Sequence, residues 1–200
     1  MFFRMQKLSI ITPCSRPVNL KRIAESIQFD KIDRWYIVYD TSPLFSKGEN
    51  TSKQRTYEKQ FLDNPKVSEL ECPVNSGWGN AQRNLAIGLV TDGLVYFLDD
   101  DNIIHEAFWQ ELPSFDLDHL YSFDRYHCNK QIVVQGGRLQ EKFIDTAQYI
   151  VPRRLIGDLV WDIHYGCGSD GRFVEDLQRL HGSKHVYVPK VLAYYNYLRA

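Results

Sequence analysis

Apolar positions along the first half of the chain switch between two periods. Leu8-Ser9-Ile10-Ile11 predicts a short strand, broken by the Pro13 to Pro17 segment, after which Leu20, Ile23, Ala24 and Ile27 fall on one helical face. Trp35-Tyr36-Ile37-Val38-Tyr39 is aromatic and β-branched and predicts a second strand ending at Asp40. The polar tract from Ser42 to Ser52 predicts a surface loop, Lys53 to Leu62 a helix, and Lys66 to Leu70 a third strand. A loop containing Pro73, Gly77 and Gly79 leads into a helix over Asn80 to Ile87, and Leu94-Val95-Tyr96-Phe97-Leu98 follows as an interior strand. Strand and helix alternating over about 100 residues imply a mostly parallel, twisted α/β sheet with right-handed crossovers.

The second half carries less helix. Leu120 to Phe123, Ile132 to Val134 and Gln148 to Val151 predict short strands, Gly171 to His181 a helix, and Val186 to Val188 a last strand. A mixed sheet is therefore expected there. No repeat and no linker divides the chain, so residues 1–200 are read as one domain, with 1–110 as a nucleotide- and metal-binding half and 111–200 as an acceptor-binding half.

Composition narrows the function classes. At 200 residues and 44% hydrophobic content the chain can bury a sizeable core, and 24 Lys and Arg against 25 Asp and Glu leave no basic footprint for nucleic acid. Any anionic ligand must then be held by a local site. The four cysteines Cys14, Cys72, Cys128 and Cys167 form no CxxC pair, which argues against a zinc knuckle and a redox motif and fits reduced thiols. The start, Met1 to Lys7, lacks a long apolar stretch, and no run reaches the roughly 20 apolar residues of a membrane span. A soluble, cytoplasmic protein is expected, with membrane attachment through a partner left open.

The chemistry concentrates at Asp99-Asp100-Asp101, three consecutive carboxylates at the end of the strand that begins at Leu94. Ligands of such sheets gather beyond the carboxyl ends of the strands, and crowded carboxylates become tolerable around a hard cation such as Mn2+ or Mg2+ that also bridges substrate phosphates. A solvated acidic turn is the structural alternative. At the ends of the first two strands Thr12, Pro13, Arg16 and Asp40 could serve a base or ribose, although an Asp after a strand is commonly a turn residue. Arg83, beyond the Ser76-Gly77-Trp78-Gly79 loop, could pair with a diphosphate in a forked geometry.

Ile11-Thr12-Pro13-Cys14-Ser15-Arg16-Pro17, Gly79-Asn80-Ala81-Gln82-Arg83-Asn84-Leu85-Ala86 and Tyr96-Phe97-Leu98-Asp99-Asp100-Asp101-Asn102 together resemble the opening loop, pre-motif helix and DxD segment of the GT-A glycosyltransferases, nearest the glucuronyltransferase-like and family-2-like branches. The resemblance covers about the first 110 residues and rests on order and spacing as well as on the DxD. It implies that Asp101 ligates a divalent ion on the donor diphosphate, that Asp99 and Asp100 contact the ribose or the metal, and that Thr12, Arg16, Asp40 and Arg83 help hold the nucleotide. The donor implied is a nucleoside-diphosphate sugar, UDP-linked by first expectation, and the acceptor a glycan or other hydroxyl compound of polysaccharide biosynthesis.

Transfer needs the leaving diphosphate neutralised and the acceptor hydroxyl deprotonated. In inverting members an acid near the start of a late helix is the base, and Ser169 to Leu177 resembles that segment. Asp170 is the first candidate and Asp145 the second, while Glu175 and Asp176 are read as solvent-facing. An Asp at a helix start is also a good N-cap. Trp161, Asp162, His164 and Tyr165 are candidates to line an acceptor pocket, and Gly136-Gly137-Arg138 to form a turn beside the donor sugar. Many inverting relatives use a C-terminal His as third metal ligand. Here His181 and His185 precede the last strand and Asn196 lies in the tail, so the ligand set is read as Asp101, Asp99 and His185, with the third member in doubt.

Three rival classes remain. A sugar nucleotidyltransferase is disfavoured because Thr12 to Pro17 has no Gly, a calcium-binding domain because the EF-hand spacing is absent, and a catalytically inert nucleotide- or glycan-binding domain would keep the donor site without a working base.

Overall fold

A computed structural model describes residues 7–45, 52–53, 55–74, 78–182 and 184–199. Within it the strands are β1 (Leu8–Cys14), β2 (Arg34–Asp40), β3 (Leu44–Phe45), β4 (Ser52–Lys53), β5 (Val67–Cys72), β6 (Leu94–Phe97), β7 (Ile103–Ile104), β8 (Leu120–His127), β9 (Ile132–Val134), β10 (Tyr149–Pro152) and β11 (His185–Tyr195). The helices are α1 (Leu20–Ser26), α2 (Asn80–Ile87), α3 (Phe108–Glu111), α4 (Arg153–Ile156) and α5 (Ser169–His181).

One nine-stranded mixed sheet runs in the order β5-β2-β1-β6-β10-β8-β11-β7, with β9 paired to β8. The strands β5, β2, β1 and β6 are mutually parallel, as the βα alternation of the first half predicts. β10 reverses between β6 and β8, and β8 pairs parallel with β11. This is the mixed α/β single-domain fold expected from the sequence. Because β10 is the reversed strand, the end of β1, β2, β6, β8 and β11 and the start of β10 all lie on one edge of the sheet. That edge carries the site.

Both faces of the central strands are buried, and the period-2 alternation sorts their side chains. Leu94 and Tyr96 of β6, with Trp35, Ile37 and Tyr39 of β2, pack toward Leu20 and Ile23 of α1 and toward Phe108. Val95 and Phe97, with Val38, pack the other way onto Ala86 and Ile87 of α2 and onto Phe173, Val174 and Leu177 of α5.

Two readings of the sequence are corrected. The segment read as a helix up to Leu62 is not helical over the described residues 55–62. Tyr57 stacks on Tyr39 with centroids 5.1 Å apart, Phe61 packs 5.2 Å from Trp35, and the Glu69 carboxylate takes the N–H groups of Gln60 and Phe61, which a helix would have used internally. The expected polar loop between Ser42 and Ser52 lies largely outside the described residues. The last strand is also longer than its Val186 to Val188 nucleus, because pairing with β8 carries it to Tyr195.

Phe173 anchors α5: its ring stacks on Trp161 at 4.3 Å and 7° and meets Phe97 edge-on at 5.8 Å. Phe173→Ala is expected to lower unfolding free energy by about 3–5 kcal/mol in urea titrations, as for other large-to-small aromatic core substitutions.

Candidate active site

A cavity of about 640 Å³ opens at the strand-end edge, lined on one wall by Pro13 to Arg16, Arg83 and Asp99 to Asp101, and on the other by Arg125, Asp145 and the Gly166 to Asp170 loop. Asp100 organises the first wall. Its carboxylate accepts from Ser15 N (2.7 Å), Ser15 Oγ (3.1 Å), Arg16 N (2.7 Å), Arg16 Nε (2.9 Å) and Arg16 Nη2 (2.5 Å). These bonds tie the loop after β1 to the loop after β6. Arg16 Nη2 also lies 3.0 Å from Asp101 Oδ2.

Arg83 is buried, with its guanidinium 4.6 Å over Trp161, donating to Trp78 O (2.7 Å), Asn80 Oδ1 (3.1 Å) and Asp99 Oδ1 (2.5 Å). Gly79, at φ +79° before α2, makes this approach feasible, since a Cβ there would lie 2.6 Å from Pro13 Cβ. Asp99 Oδ2 accepts from Thr146 Oγ1 at 3.2 Å. Burial, and then the nearby Asp99, push the Asp101 carboxyl up to about 6, while Arg16 works against that rise.

On the far wall Asp170 sits at the first turn of α5, which begins after Gly168 at φ +99°. Gly171 lets the helix start press on the neighbouring loop, where a Cβ would meet Glu141 Cα at 2.4 Å. Asp170 lines the cavity and is half-buried. Burial, then repulsion from Asp145 and Asp99, raise it to about 8 against the opposing pull of Arg83 and Arg125. Asp145 is differently placed: it caps the turn before β10 through Ala147 N (3.0 Å) and ion-pairs with Arg125 at 3.0 Å.

The structure thus brings together Pro13, Arg16, Asp40, Arg83, Asp99, Asp100, Asp101, Asp145 and Asp170. Asp40 keeps its turn role as well, accepting from Ser42 and pairing with Arg55 at 2.9 Å. Several expected residues stand outside. Thr12 is buried and accepts the Trp35 indole N–H at 2.9 Å. Trp161 is a core residue under Arg83 and Phe173. Asp162 is exposed and receives His164 N at 2.9 Å. His185 opens β11 and bonds Ser122 Oγ at 2.7 Å, with the whole strand between it and the cavity edge. It is therefore no partner for Asp101. His181 bonds Leu155 O at the same far end. The Gly136-Gly137 pair packs on the β8 backbone and Tyr187, away from the cavity, and Glu175, read as solvent-facing, instead accepts Glu141 N at 2.8 Å. Ser76 and Gly77 lie outside the described residues.

Arg125, Trp78, Arg199 and Asn196 also line the cavity. Arg125 lies 3.9 Å over the Tyr195 ring; extending the alternation of β8 beyond Phe123 would have placed it at the strand end. Trp78 is 65% exposed at the rim, with φ +58°, a conformation uncommon for a residue other than glycine.

Among the described residues no group of three or more His, Cys, Asp and Glu side chains is placed to hold a metal ion. A cation beside Asp101 would need oxygen of another kind, and Asn196, whose Oδ1 is buried without a hydrogen-bond partner, is among the residues that line the cavity. Carboxylate and amide oxygens suit a hard divalent ion, so this donor set fits Mn2+ or Mg2+.

The chain is thus a single mixed α/β domain with an acidic, arginine-lined cavity at its strand ends. Solved structures with this fold include S. aureus TarS. Residues 1–349 of that protein match at TM-score 0.69 and 15% identity over 94% of this chain and 60% of that one. The same TarS segment in complex with UDP matches at 0.66 and 16% over 94% and 60%, and in complex with UDP-GlcNAc at 0.67 and 15% over 94% and 58%. The chain therefore spans about 60% of that segment's length, and at this identity the likeness is one of fold. No protein-family model matches the sequence, and no curated protein does.

Asp170 sets a stability dependence whose sign is opposite to that of an ordinary paired carboxylate. Between about pH 4, where an unfolded Asp titrates, and about pH 8 the folded chain holds a proton that the unfolded chain has lost. Its contribution to stability is complete below that window and is lost as pH rises through it. Asp170→Asn is expected to melt higher than the parent at pH 8.5 and equally at pH 4; equal melting at both would show an unshifted Asp170.

Proposed function

We propose that this protein is a metal-dependent glycosyltransferase of the GT-A type, moving a sugar from a nucleoside-diphosphate sugar, UDP-linked, to a hydroxyl acceptor with inversion at the anomeric carbon. The observation that carries the reading is a single cavity with the acidic triplet, Arg16 and Arg83 on one wall and Asp170 on the other. The UDP and UDP-GlcNAc complexes of TarS, which shares the fold, support the donor class.

In this reading Pro13 and Asp40 flank the nucleoside and Arg16 and Arg199 face the diphosphate. Asp100 carries no chemistry of its own but holds Arg16 and the β1 loop in position. A divalent ion at Asp101 would neutralise charge on the leaving diphosphate. The acceptor hydroxyl gives its proton to Asp170 as its oxygen bonds to the anomeric carbon, and the bond from that carbon to the phosphate oxygen breaks with its electron pair going to the diphosphate. A carboxyl held near neutral pKa is a stronger base than an exposed one once ionised, and burial supplies that shift. Asp145, with its oxygens engaged by Arg125 and Ala147 N, positions rather than accepts protons. Trp78 offers an aromatic face at the acceptor side, since a Cβ on Gly166 would stand 3.2 Å from its Nε1 and Gly166 begins the loop that leads to Asp170.

Assayed with UDP-GlcNAc and a panel of sugar acceptors, kcat/KM is expected to rise with pH and level off above about 8, the Asp170 value. Asp170→Asn should lower transfer by about 10²–10⁴-fold while leaving UDP affinity within about twofold; undiminished transfer would remove Asp170 from the mechanism. Asp101→Ala should abolish the Mn2+-dependent part of UDP binding in calorimetry, and unchanged binding would sink the metal assignment.

A further inference from the structure

The half of the sheet formed by β9, β8, β11 and β7 carries a row of side chains that the core does not use. Tyr126 of β8 stands opposite Val133 of β9 and Tyr194 of β11, and Tyr194 stands opposite Ile103 of β7. Opposed residues share a face of a sheet, so these four make one row across four strands. The pleat decides which way the row points. Ile104 and Ala193, one position along, are buried in the core with Phe108, whereas Val133 is 52% exposed and Tyr126, Tyr194 and Ile103 are half-buried.

Rings gather on this row. Tyr194 meets Tyr126 edge-on at 6.2 Å, His105 at 4.8 Å, and Tyr197 of the following turn at 5.6 Å. Tyr197 is 44% exposed and comes directly after Asn196, a residue of the cavity lining. The row is therefore continuous with the cavity through the turn after β11.

Size and chemistry together select an occupant. Neighbouring strands lie about 4.8 Å apart, so the row is about 14 Å long, roughly the span of two or three pyranose rings, and one residue deep. That is far short of the roughly 800 Å² per partner that a stable protein interface buries. A tyrosine offers an apolar face to the C–H surface of a sugar and a hydroxyl to its oxygens. Burial, and then the Glu106 carboxylate, raise the Tyr194 hydroxyl above its usual range. A carboxylate beside the row suits an uncharged chain and repels an acidic one.

We infer that Tyr126, Tyr194 and Tyr197 form a second glycan-binding surface, a platform outside the cavity that holds an uncharged oligosaccharide. This rests on the reading of the protein as a glycosyltransferase, and it gives that reading a place where a polymeric acceptor is gripped away from its reacting hydroxyl.

The test is calorimetry of the full chain with chitotetraose, cellotetraose, maltotetraose and a heparin-derived tetrasaccharide, and separately with UDP, for the parent and for Tyr126→Ser, Tyr197→Ser, Tyr126→Phe and Tyr197→Phe. Tyr197 lies in an exposed turn, so its variants keep the fold even where Tyr126→Ser does not; melting verifies this. At least one neutral tetrasaccharide is expected to bind in preference to the heparin fragment. Each serine variant should weaken it roughly 3–10-fold and each phenylalanine variant by less than about twofold, with UDP affinity unchanged throughout. No neutral tetrasaccharide bound, preference for the heparin fragment, or parent-like affinity in Tyr197→Ser overturns the platform and leaves the donor reading standing. A dimer in sedimentation that Tyr197→Ser dissolves overturns it in favour of a second copy of the chain. Absence of UDP binding by the parent overturns the glycosyltransferase reading, and with it the acceptor role, whether or not a tetrasaccharide binds.

Discussion

Five hydrogen bonds converge on the Asp100 carboxylate from two consecutive residues, Ser15 and Arg16. Parallel pairing brings β1 and β6 side by side, but pairing alone does not say what the loops beyond them do. A carboxylate 3% exposed must be surrounded by donors, and the donors within reach are those at the end of β1. Meeting that requirement folds the β1 loop over the β6 loop and turns Arg16 toward Asp101. The cavity wall is the by-product of satisfying one buried charge.

The other carboxylates are satisfied to different degrees. Asp99 has Arg83 and Thr146, and Asp145 has Arg125 and a backbone amide, so each is held by specific partners. Asp101 has ion pairs through one oxygen, and its carboxyl is pushed up to about 6. Asp170 faces Arg83 and Arg125 only at longer range, with burial and the Asp145 charge outweighing them, and rises to about 8. Burial thus raises carboxyls on both walls, Asp99 and Asp101 beside the β1 and β6 loops as well as Asp170 on α5.

Much of this was legible along the chain. The switch between strand and helix period identified the βα units, and the position of Asp99 to Asp101 after a wholly apolar strand placed them at the strand-end edge that carries the cavity. Gly79 and Arg83, read as close backbone approach and a cation beyond it, do lie beside the cavity, where the guanidinium is taken by Trp78 O, Asn80 Oδ1 and Asp99 Oδ1. The failures share a cause. Tyr57 and Phe61 sit in a stretch with helical character, yet their rings are taken by Tyr39 and Trp35 and their neighbouring amides by Glu69, contacts made across the sheet. Trp161 read as a pocket aromatic, and a buried Arg83 and Phe173 claimed it for the core. His185 had the right chemistry for a ligand at the wrong end of β11.

By itself the sequence determined which residues were able to do chemistry and which strand ends carried the first of them, because local period and turn residues act over a few positions. Only the tertiary structure decided who stands opposite whom. Arg125 enters the cavity because β8 pairs with β11 beyond the reach of its apolar nucleus, and Asn196 arrives beside Asn102 because that same pairing carries the chain to its final turn. Partners 94 residues apart in sequence, such as Asn102 and Asn196, leave no local signature. Their meeting is set by sheet order and by the need to satisfy buried polar groups, and neither is written at any one position.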